Sequence, residues 1–510
     1  MQRSVGLCRS SASAPRFGFF LPSSSSPLRT FSSSAFVQSG RSSITLTNPA
    51  TEERVVFSEP HDDAVSIKEK FQKAKLAQSE LGGWAARSNL EGRKAAIQKF
   101  YAALQKKEIV DEAAKNLSLD MGKPLSQAQG EVSSTLGRVR FFLDNIDQVM
   151  KDDVVHKDGQ MTEIIRPEPL GVVANISAWN YPWFVGTNAF IPALLTGNAV
   201  LYKPSEFALR TGKFMTDLLH ESGVPKELFA PVYGDGKVGE AILQQPIDGV
   251  FFTGSVSTGL KINQAVASRA IKVQLELGGK DPAYVLPDVD IKNAAAVLAD
   301  GAFYNTGQSC CSVERIYVHE SIYEPFLQHF VEEVKGFSRH VGGPFEDKVY
   351  IGPVVQKKQL DFLEKQVQDA VSKGAKLLLG GKRYSTSEFA KGYFFQPTVL
   401  TEVNSSMDVM KEESFGPIIG IQKVSSDEEA LLLMNDTKYG LTASVFTKDK
   451  ERALALLSRL NAGTAYWNCC DRVSPHLPWS GRNFSGLGLT LSVEGIRTFT
   501  QPKALHLKQL

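Results

Sequence analysis

The chain has 510 residues, 42% of them hydrophobic and 22% charged, and a formal net charge of +2. That length exceeds what one hydrophobic core holds, so two or more domains are expected, and no basic cluster is dense enough to track a phosphate backbone, so no nucleic-acid partner is implied. No apolar run approaches the length a bilayer crossing needs; the nearest, Gly171 to Ala178, is broken by Asn175 and by Trp179-Asn180.

Residues 1–41 differ in kind from the rest. Arg3, Arg9, Arg16, Arg29 and Arg41 all precede the first acidic residue, Glu52, in a Ser-rich background. This is the composition of an organelle transit peptide, and Arg29-Thr30-Phe31-Ser32 resembles a mitochondrial processing site. A mitochondrial matrix address is expected ahead of a plastid one; the alternative is a disordered tail with no address. Five cysteines, Cys8 among them, are too few for a disulfide framework, which points to a reducing compartment. The eight histidines show no metal spacing, so no metal site is expected.

From Ser42 the chain opens with a short strand, Ile44 to Leu46. Helical patterns follow over Asp62 to Ala77, Leu90 to Leu117 and Ser126 to Met150. An extended hairpin, Val154 to Arg166, turns at Lys157-Asp158-Gly159 and is closed by Pro167 and Pro169. With little core of its own, it reads as an oligomerisation arm. After Gly171, strands (Val172 to Ile176, Ala199 to Lys203, Ala230 to Tyr233, Gly249 to Thr253) alternate with helices (Phe190 to Leu195, Arg210 to Ser222, Val238 to Gln244), the rhythm of a doubly wound parallel sheet. A second alternating block runs from near Lys280 to about Trp467. The final stretch, Pro502 to Leu510, alternates and is expected to pair as an edge strand with the arm or with a neighbouring subunit.

Two turns have phosphate-binding character. Gly234-Asp235-Gly236-Lys237-Val238-Gly239 matches GxGxxG but lacks the acidic residue about 20 positions on, so it reads as a turn supporting the nucleotide edge. Thr253-Gly254-Ser255 is the stronger candidate, because a buried strand ends there and a helix N-terminus follows. A third loop, Tyr304-Asn305-Thr306-Gly307-Gln308-Ser309-Cys310-Cys311, places a thiol between a helix (Ile291 to Tyr304) and a strand (Arg315 to His319). A lone thiol pair there reads as buried filler; its neighbours elsewhere in the chain change that reading.

Those neighbours are Trp179-Asn180-Tyr181-Pro182, Tyr202-Lys203-Pro204-Ser205-Glu206, Leu275-Glu276-Leu277-Gly278-Gly279-Lys280 and Glu413-Ser414-Phe415-Gly416-Pro417. With the Cys310 loop, this ordered set resembles the aldehyde dehydrogenase superfamily over nearly all of residues 44–508. The resemblance implies an α/β fold: a Rossmann-like NAD-binding domain (42–150 and 168–279), an α/β catalytic domain (280–485), and a β oligomerisation arm and tail (151–167 and 486–510). It implies oxidation of a small-molecule aldehyde to the carboxylic acid by a homodimer or homotetramer. Cys310 would attack the aldehyde and form a thiohemiacetal, then a thioester. Asn180 and the Cys310 backbone N–H would take the oxyanion, and Glu276 would activate the hydrolytic water. Ile176, Ser177, Ala178, Trp179, Lys203, Ser205, Glu206, Gly236, Gly254, Ser255, Leu277, Gly278, Glu413 and Phe415 would hold the cofactor. Lys203 and Glu206 fall where the family meets the adenosine ribose, and a carboxylate there favours NAD over NADP.

The likeness departs from the family at Thr490, where many relatives carry a glutamate thought to assist proton release. Substrate identity is expected in Tyr181, Trp183, Asn188, Ser309, Cys311, Asp471, Arg472, Val473 and Trp479. Tyr181 and Trp183 suggest an aromatic wall, suited to aliphatic aldehydes or, by cation–π contact, to amino- or trimethylammonio-aldehydes. Asn188 stands where betaine aldehyde dehydrogenases usually have tryptophan. Arg472 could pair with a semialdehyde acid, with Asp471, or with nothing. From another class, a thiol hydrolase or non-catalytic scaffold on the same fold is the alternative.

Overall fold

The computed structural model describes residues 42–509 apart from 387, 388 and 390, so the transit-peptide expectation lies outside the described residues. The chain begins with a hairpin of β1 (Ser43–Thr47) and β2 (Arg54–Pro60). Four helices follow: Ala64–Ser79, Leu90–Leu104, Lys107–Met121 and Leu125–Met150. The expected single helix from Leu90 to Leu117 is two. Its apolar face ends at Leu104, exposed Gln105 and Lys106 have no core to face, and Lys106 turns extended at ψ 127°. The second of the pair stops at Gly122, whose φ of +74° and close approach to Pro353, where a Cβ would lie 2.3 Å away, require glycine.

The arm strands β3 (Asp153–Lys157) and β4 (Met161–Pro169) pair antiparallel, and Asp158 closes the turn by accepting from the Gln160 and Met161 N–H groups. Pro167 and Pro169, expected to end the hairpin, lie inside β4. They are tolerated because β3 pairs no further than Ile165 and Pro167 sits opposite Pro502, a pair in which neither residue can donate.

Five strands then alternate with helices: β5 (Val172–Ile176), β6 (Ala199–Lys203), β7 (Phe229–Pro231), β8 (Gly249–Thr253) and β9 (Lys272–Glu276). β5 and β6 are buried at every position, as strands covered on both faces must be. The seven-stranded sheet that follows is built from β10 (Asp281–Val285), β11 (Val313–His319), β12 (Lys376–Leu379), β13 (Thr398–Thr401), β14 (Ile418–Val424), β15 (Thr442–Phe446) and β16 (Thr464–Trp467), in the order β12-β13-β14-β11-β10-β15-β16. The chain then returns as β17 (Gly486–Leu487) and β18 (Thr500–Lys508).

The first large sheet has the order β17-β9-β8-β5-β6-β7, parallel except for β17. The strand order switches sides between β5 and β8, with β6 and β7 added on one side and β8 and β9 on the other, which makes that crevice the switch point where open α/β sheets bind ligands. Register aligns Ile176 with Lys203 and Phe252, and Thr253 with Glu276. The ends of β5, β6, β8 and β9 therefore open onto one edge. Residues 277–280 carry the chain directly from this sheet to β10 of the other, so the Glu276 motif lies at the join. β18 pairs with β4 from Thr500 opposite Pro169 to Lys508 opposite Met161, which assigns the C-terminal stretch to the arm of its own chain.

Candidate active site

The Cys310 loop starts where helix Ile291–Phe303 ends. Asn305, Thr306 and Gly307 all take positive φ (54°, 60° and 67°), a conformation that costs energy in the two non-glycines and persists only when the surroundings impose it. The surroundings do so. The Asn305 N–H donates to Gln127 Oε1 at 3.1 Å, and Gln308 Oε1 accepts from the Val355 N–H at 2.9 Å. A Cβ on Gly307 would lie 2.3 Å from the Gly416 carbonyl oxygen. The loop leaves Cys310 partly exposed and buries Cys311.

Asn180 is 4% exposed and joins this loop directly, its Nδ2 donating to the Gln308 carbonyl at 3.2 Å. An amide nitrogen carries two hydrogens, so one remains for a ligand. The Asn180 carbonyl is fixed in turn by Lys123 Nζ at 2.8 Å and Asn305 Nδ2 at 3.2 Å.

Glu276 ends β9 and is 6% exposed. Its Oε1 accepts from Gln274 Nε2 at 3.1 Å and from the Thr490 hydroxyl. Burial pushes its carboxyl up to about 7, with those hydrogen bonds pulling the other way, so it can lose and regain a proton near neutrality. Just beyond it, a Cβ on Gly279 would lie 2.6 Å from the Cys310 carbonyl oxygen, and one on Gly278 would lie 2.2 Å from the Glu413 carboxylate. Asn180 meets the loop of Cys310 at Gln308, and the Glu276 segment meets it at Cys310 itself.

The residues expected at the cofactor edge follow the strand ends. Ile176, Ser177, Ala178 and Trp179 come off β5, with the Ser177 N–H donating to the Lys203 carbonyl at 3.0 Å. Lys203, Ser205 and Glu206 come off β6, Gly254 and Ser255 off β8, and Leu277 and Gly278 off β9. Ser255 caps helix Val256–Val266, whose first N–H groups face the switch point. Lys203 Nζ lies 3.7 Å from the Glu206 carboxylate; burial lowers its hold on the proton and Glu206 opposes that. A helix N-terminus for a pyrophosphate and a Lys–Glu pair for ribose hydroxyls are the donor set a dinucleotide requires, and the edge fits one. Gly236 opens the helix after β7 and has nothing within 4 Å of where its Cβ would be, whereas the turn before it is committed to His61 and Asp62.

On the facing sheet, Glu413 accepts from the Gly279 N–H at 3.1 Å, and burial beside Glu314 pushes its carboxyl upward. Phe415, at φ 47°, stands edge-on to Trp179 at 5.5 Å. The sequence reading missed what holds this segment. Glu314 accepts from the Ser414 and Phe415 N–H groups and pairs with buried Lys280, which also reaches Ser414 Oγ at 3.1 Å. An acid beside an arginine in the strand Val313–His319 was the signal.

On the expected substrate side, Tyr181 lies parallel to Phe184 at 5.8 Å, with Lys123 Nζ 3.9 Å from the centre of its ring. Lys123 and Glu131 form a wholly buried ion pair, and Glu131 Oε1 also accepts from the Trp183 N–H at 2.9 Å. Neither was expected. Asp471 Oδ1 accepts from Ser309 Oγ at 3.1 Å and Cys311 Sγ at 3.0 Å, and burial pushes its carboxyl up to about 7. One expectation is corrected. Trp183 is no pocket wall: it is 0% exposed, set edge-on to Phe214 in the core because helix Pro182–Leu195 turns it inward. Arg472 is exposed and has no ion pair among the described residues, since Asp471 is engaged elsewhere; only its carbonyl is held, by Tyr466. Val473 packs partly buried against the core, Asn188 is buried, and Trp479 is buried with its backbone bridged to Thr490.

Comparison with known proteins places these motifs in a wider set. The aldehyde dehydrogenase family model matches residues 36–505. A peroxisomal aminoaldehyde dehydrogenase 1 of Malus domestica is 35% identical over 469 residues, covering 90% of this chain and 91% of the relative. A chloroplastic betaine aldehyde dehydrogenase of Amaranthus hypochondriacus is 34% identical over 474 residues, covering 92% of each. Among solved structures, betaine aldehyde dehydrogenase from Staphylococcus aureus in complex with NAD+ superposes with a TM-score of 0.87 at 29% identity, covering 92% of this chain and 93% of that one.

Proposed function

The chain belongs to the aldehyde dehydrogenase family and carries out NAD-dependent oxidation of an aldehyde, and we propose that Cys310 is its nucleophile, Asn180 its oxyanion donor and Glu276 its general base. The Cys310 thiolate adds to the aldehyde carbon, and the oxygen takes up the electron pair of the broken π bond. The free hydrogen of Asn180 Nδ2 and the Cys310 N–H stabilise that oxyanion. The nicotinamide cofactor, when bound, supplies the hydride acceptor. The acyl group left on Cys310 is a thioester, and water adds to it as Glu276 takes the proton; the carboxylic acid leaves and the thiol returns. The observation that carries this reading is the convergence of the Asn180 amide and the Gly279 backbone on residues 308–310.

Lys203, Ser205, Glu206 and the helix after Ser255 would hold the adenosine and pyrophosphate, with Glu413 and Phe415 at the nicotinamide end. The Glu206 carboxylate supports NAD over NADP, because it accepts from a free 2′-hydroxyl and repels a 2′-phosphate. Residues 42–150 with 168–279 are assigned to the cofactor domain and 280–485 to the catalytic domain. Exposed Val154, Val155, Ile165 and Leu507 on the arm support a homodimer or homotetramer. The leader's composition supports a mitochondrial matrix address, with the plastid as second choice. The test is a panel of aliphatic, amino-, trimethylammonio- and carboxy-aldehydes with NAD and with NADP: reduced cofactor should form, and Cys310→Ala should abolish it. Unchanged turnover in that variant would remove Cys310 from the reaction.

A further inference from the structure

Three arginines are buried among the described residues, and two of them donate to backbone carbonyls, Arg93 with only one nitrogen left unpartnered. Arg93 donates to the carbonyls of Leu195, Trp84 and Ala86, and Arg315 to those of Lys280, Leu433 and Met434. The third, Arg138 on helix Leu125–Met150, is 5% exposed and has no hydrogen bond or ion pair among the described residues; its Nε is enclosed without a partner. Its guanidinium lies 3.6 Å from the centre of the Phe184 ring, the same ring that stacks on Tyr181 beside Asn180. A guanidinium cannot shed its charge and carries five donors in a planar fork, so leaving it buried and unpaired is costly unless something else is brought to it.

The neighbouring acids do not serve. Glu131 is spent on Lys123 and the Trp183 N–H. Glu276 is held by Gln274 and Thr490, and Asp471 by Ser309 and Cys311. Glu131, Cys311 and Glu276 nonetheless lie near enough to act on the Arg138 charge, so the unfilled fork is within electrostatic range of Glu276.

We propose that Arg138 binds a carboxylate on the substrate, so that the aldehydes this enzyme prefers are short-chain semialdehyde acids. The proposal rests on the aldehyde-oxidation reading above. The planar fork accepts a carboxylate through two parallel hydrogen bonds, and Phe184 keeps it flat while the aldehyde carbon is presented to Cys310. An ammonium-bearing aldehyde would be repelled by the same charge.

The test measures kcat/KM with NAD for succinic semialdehyde, butanal and aminobutanal in the wild type, Arg138→Met and Arg138→Lys. The wild type should favour succinic semialdehyde over butanal by about tenfold to a hundredfold, the range of one charge-assisted contact. The Met variant should bring that ratio to parity, with the Lys variant between. Where Arg138→Met does not fold, competition on the wild type answers instead: succinate should inhibit butanal oxidation and succinamide should not. Equal use of succinic semialdehyde and butanal, a ratio unchanged in the Met variant, equal inhibition by succinate and succinamide, or a preference for aminobutanal overturns the proposal and leaves aldehyde oxidation standing. No reduced cofactor from any of the three aldehydes overturns the oxidation reading itself.

Discussion

Thr490 donates its hydroxyl hydrogen bond to Glu276 Oε1. β17 pairs Gly486 with Glu276, and Thr490 is bridged to Trp479, so the returning C-terminal segment brings the hydroxyl to the base. A donor favours the ionised carboxyl and opposes the burial that lifts it to about 7. Thr490→Val keeps the shape and removes the donor, so Glu276 should hold its proton to higher pH. Turnover limited by thioester hydrolysis should then fall about tenfold at slightly acid pH and recover under alkaline conditions. Thr490→Ser should restore the wild-type profile. A kcat-against-pH curve that does not move in Thr490→Val would show that the bond does not tune the base.

Glu276→Gln separates acylation from hydrolysis. Rapid mixing should show a burst of reduced cofactor close to the wild-type amplitude, followed by steady turnover about a hundredfold to ten-thousandfold slower. Stability should change as well. The folded carboxyl titrates near 7, above its ordinary value of 4.5, so the folded protein holds this proton more tightly than the unfolded chain does. Stability therefore falls as pH rises from about 4.5 to 7 and stays flat above that, a loss on the order of 3 kcal/mol at most. The Gln variant lacks this slope and should gain in melting temperature over the wild type at pH 8 relative to pH 5. Loss of the burst together with turnover would move Glu276 from hydrolysis to an earlier step.

Gly279→Ala probes the contact between the base's segment and the nucleophile's backbone. The added methyl would sit 2.6 Å from both the Cys310 carbonyl oxygen and Asp281 Oδ1, and neither is a flexible tip. The loop must shift, which should cost about 1 to 3 kcal/mol of stability and slow both alkylation of Cys310 and turnover. An unaltered alkylation rate with lowered stability would mean that the strain is taken up at Asp281 instead.

What the sequence made legible was local. The Asn180, Lys203, Gly254 and Glu276 motifs lie where an apolar strand ends in a glycine, an amide or a charge, and both the strand alternation and the residues at the strand mouths carry that signal within a few positions. Lys123, Glu131 and Arg138 carried none. Glu131 and Arg138 fall in a helix rich in polar residues and Lys123 in the turn before it, so all three read as solvated, and only packing against helix Pro182–Leu195 and the C-terminal segment buries them. Gln127 and the 352–355 segment were invisible for the same reason, since their bonds to Asn305 and Gln308 join residues far apart in the chain. Trp183 was misread because aromatic character beside Asn180 suggested a wall, while the helix that starts at Pro182 decides which way each ring points.

Glu206 decides between the two cofactors if its carboxylate accepts from the adenosine ribose. It is partly exposed at the end of β6 and lies 3.7 Å from Lys203, whose ammonium is nearly enclosed. Removing the carboxylate by Glu206→Ala relieves repulsion of a 2′-phosphate and frees Lys203 to meet it. The ratio of kcat/KM with NADP to that with NAD should rise at least about tenfold, chiefly through a lower KM for NADP. Because Lys203 is buried and loses the carboxylate 3.7 Å away, the variant should also melt at a lower temperature when no cofactor is present. Addition of NADP should recover more of that loss than NAD does, as expected when a ligand binds only the folded state. A ratio that stays put, with equal protection by the two cofactors, would place the ribose away from Glu206 and leave the preference for NAD without its cause.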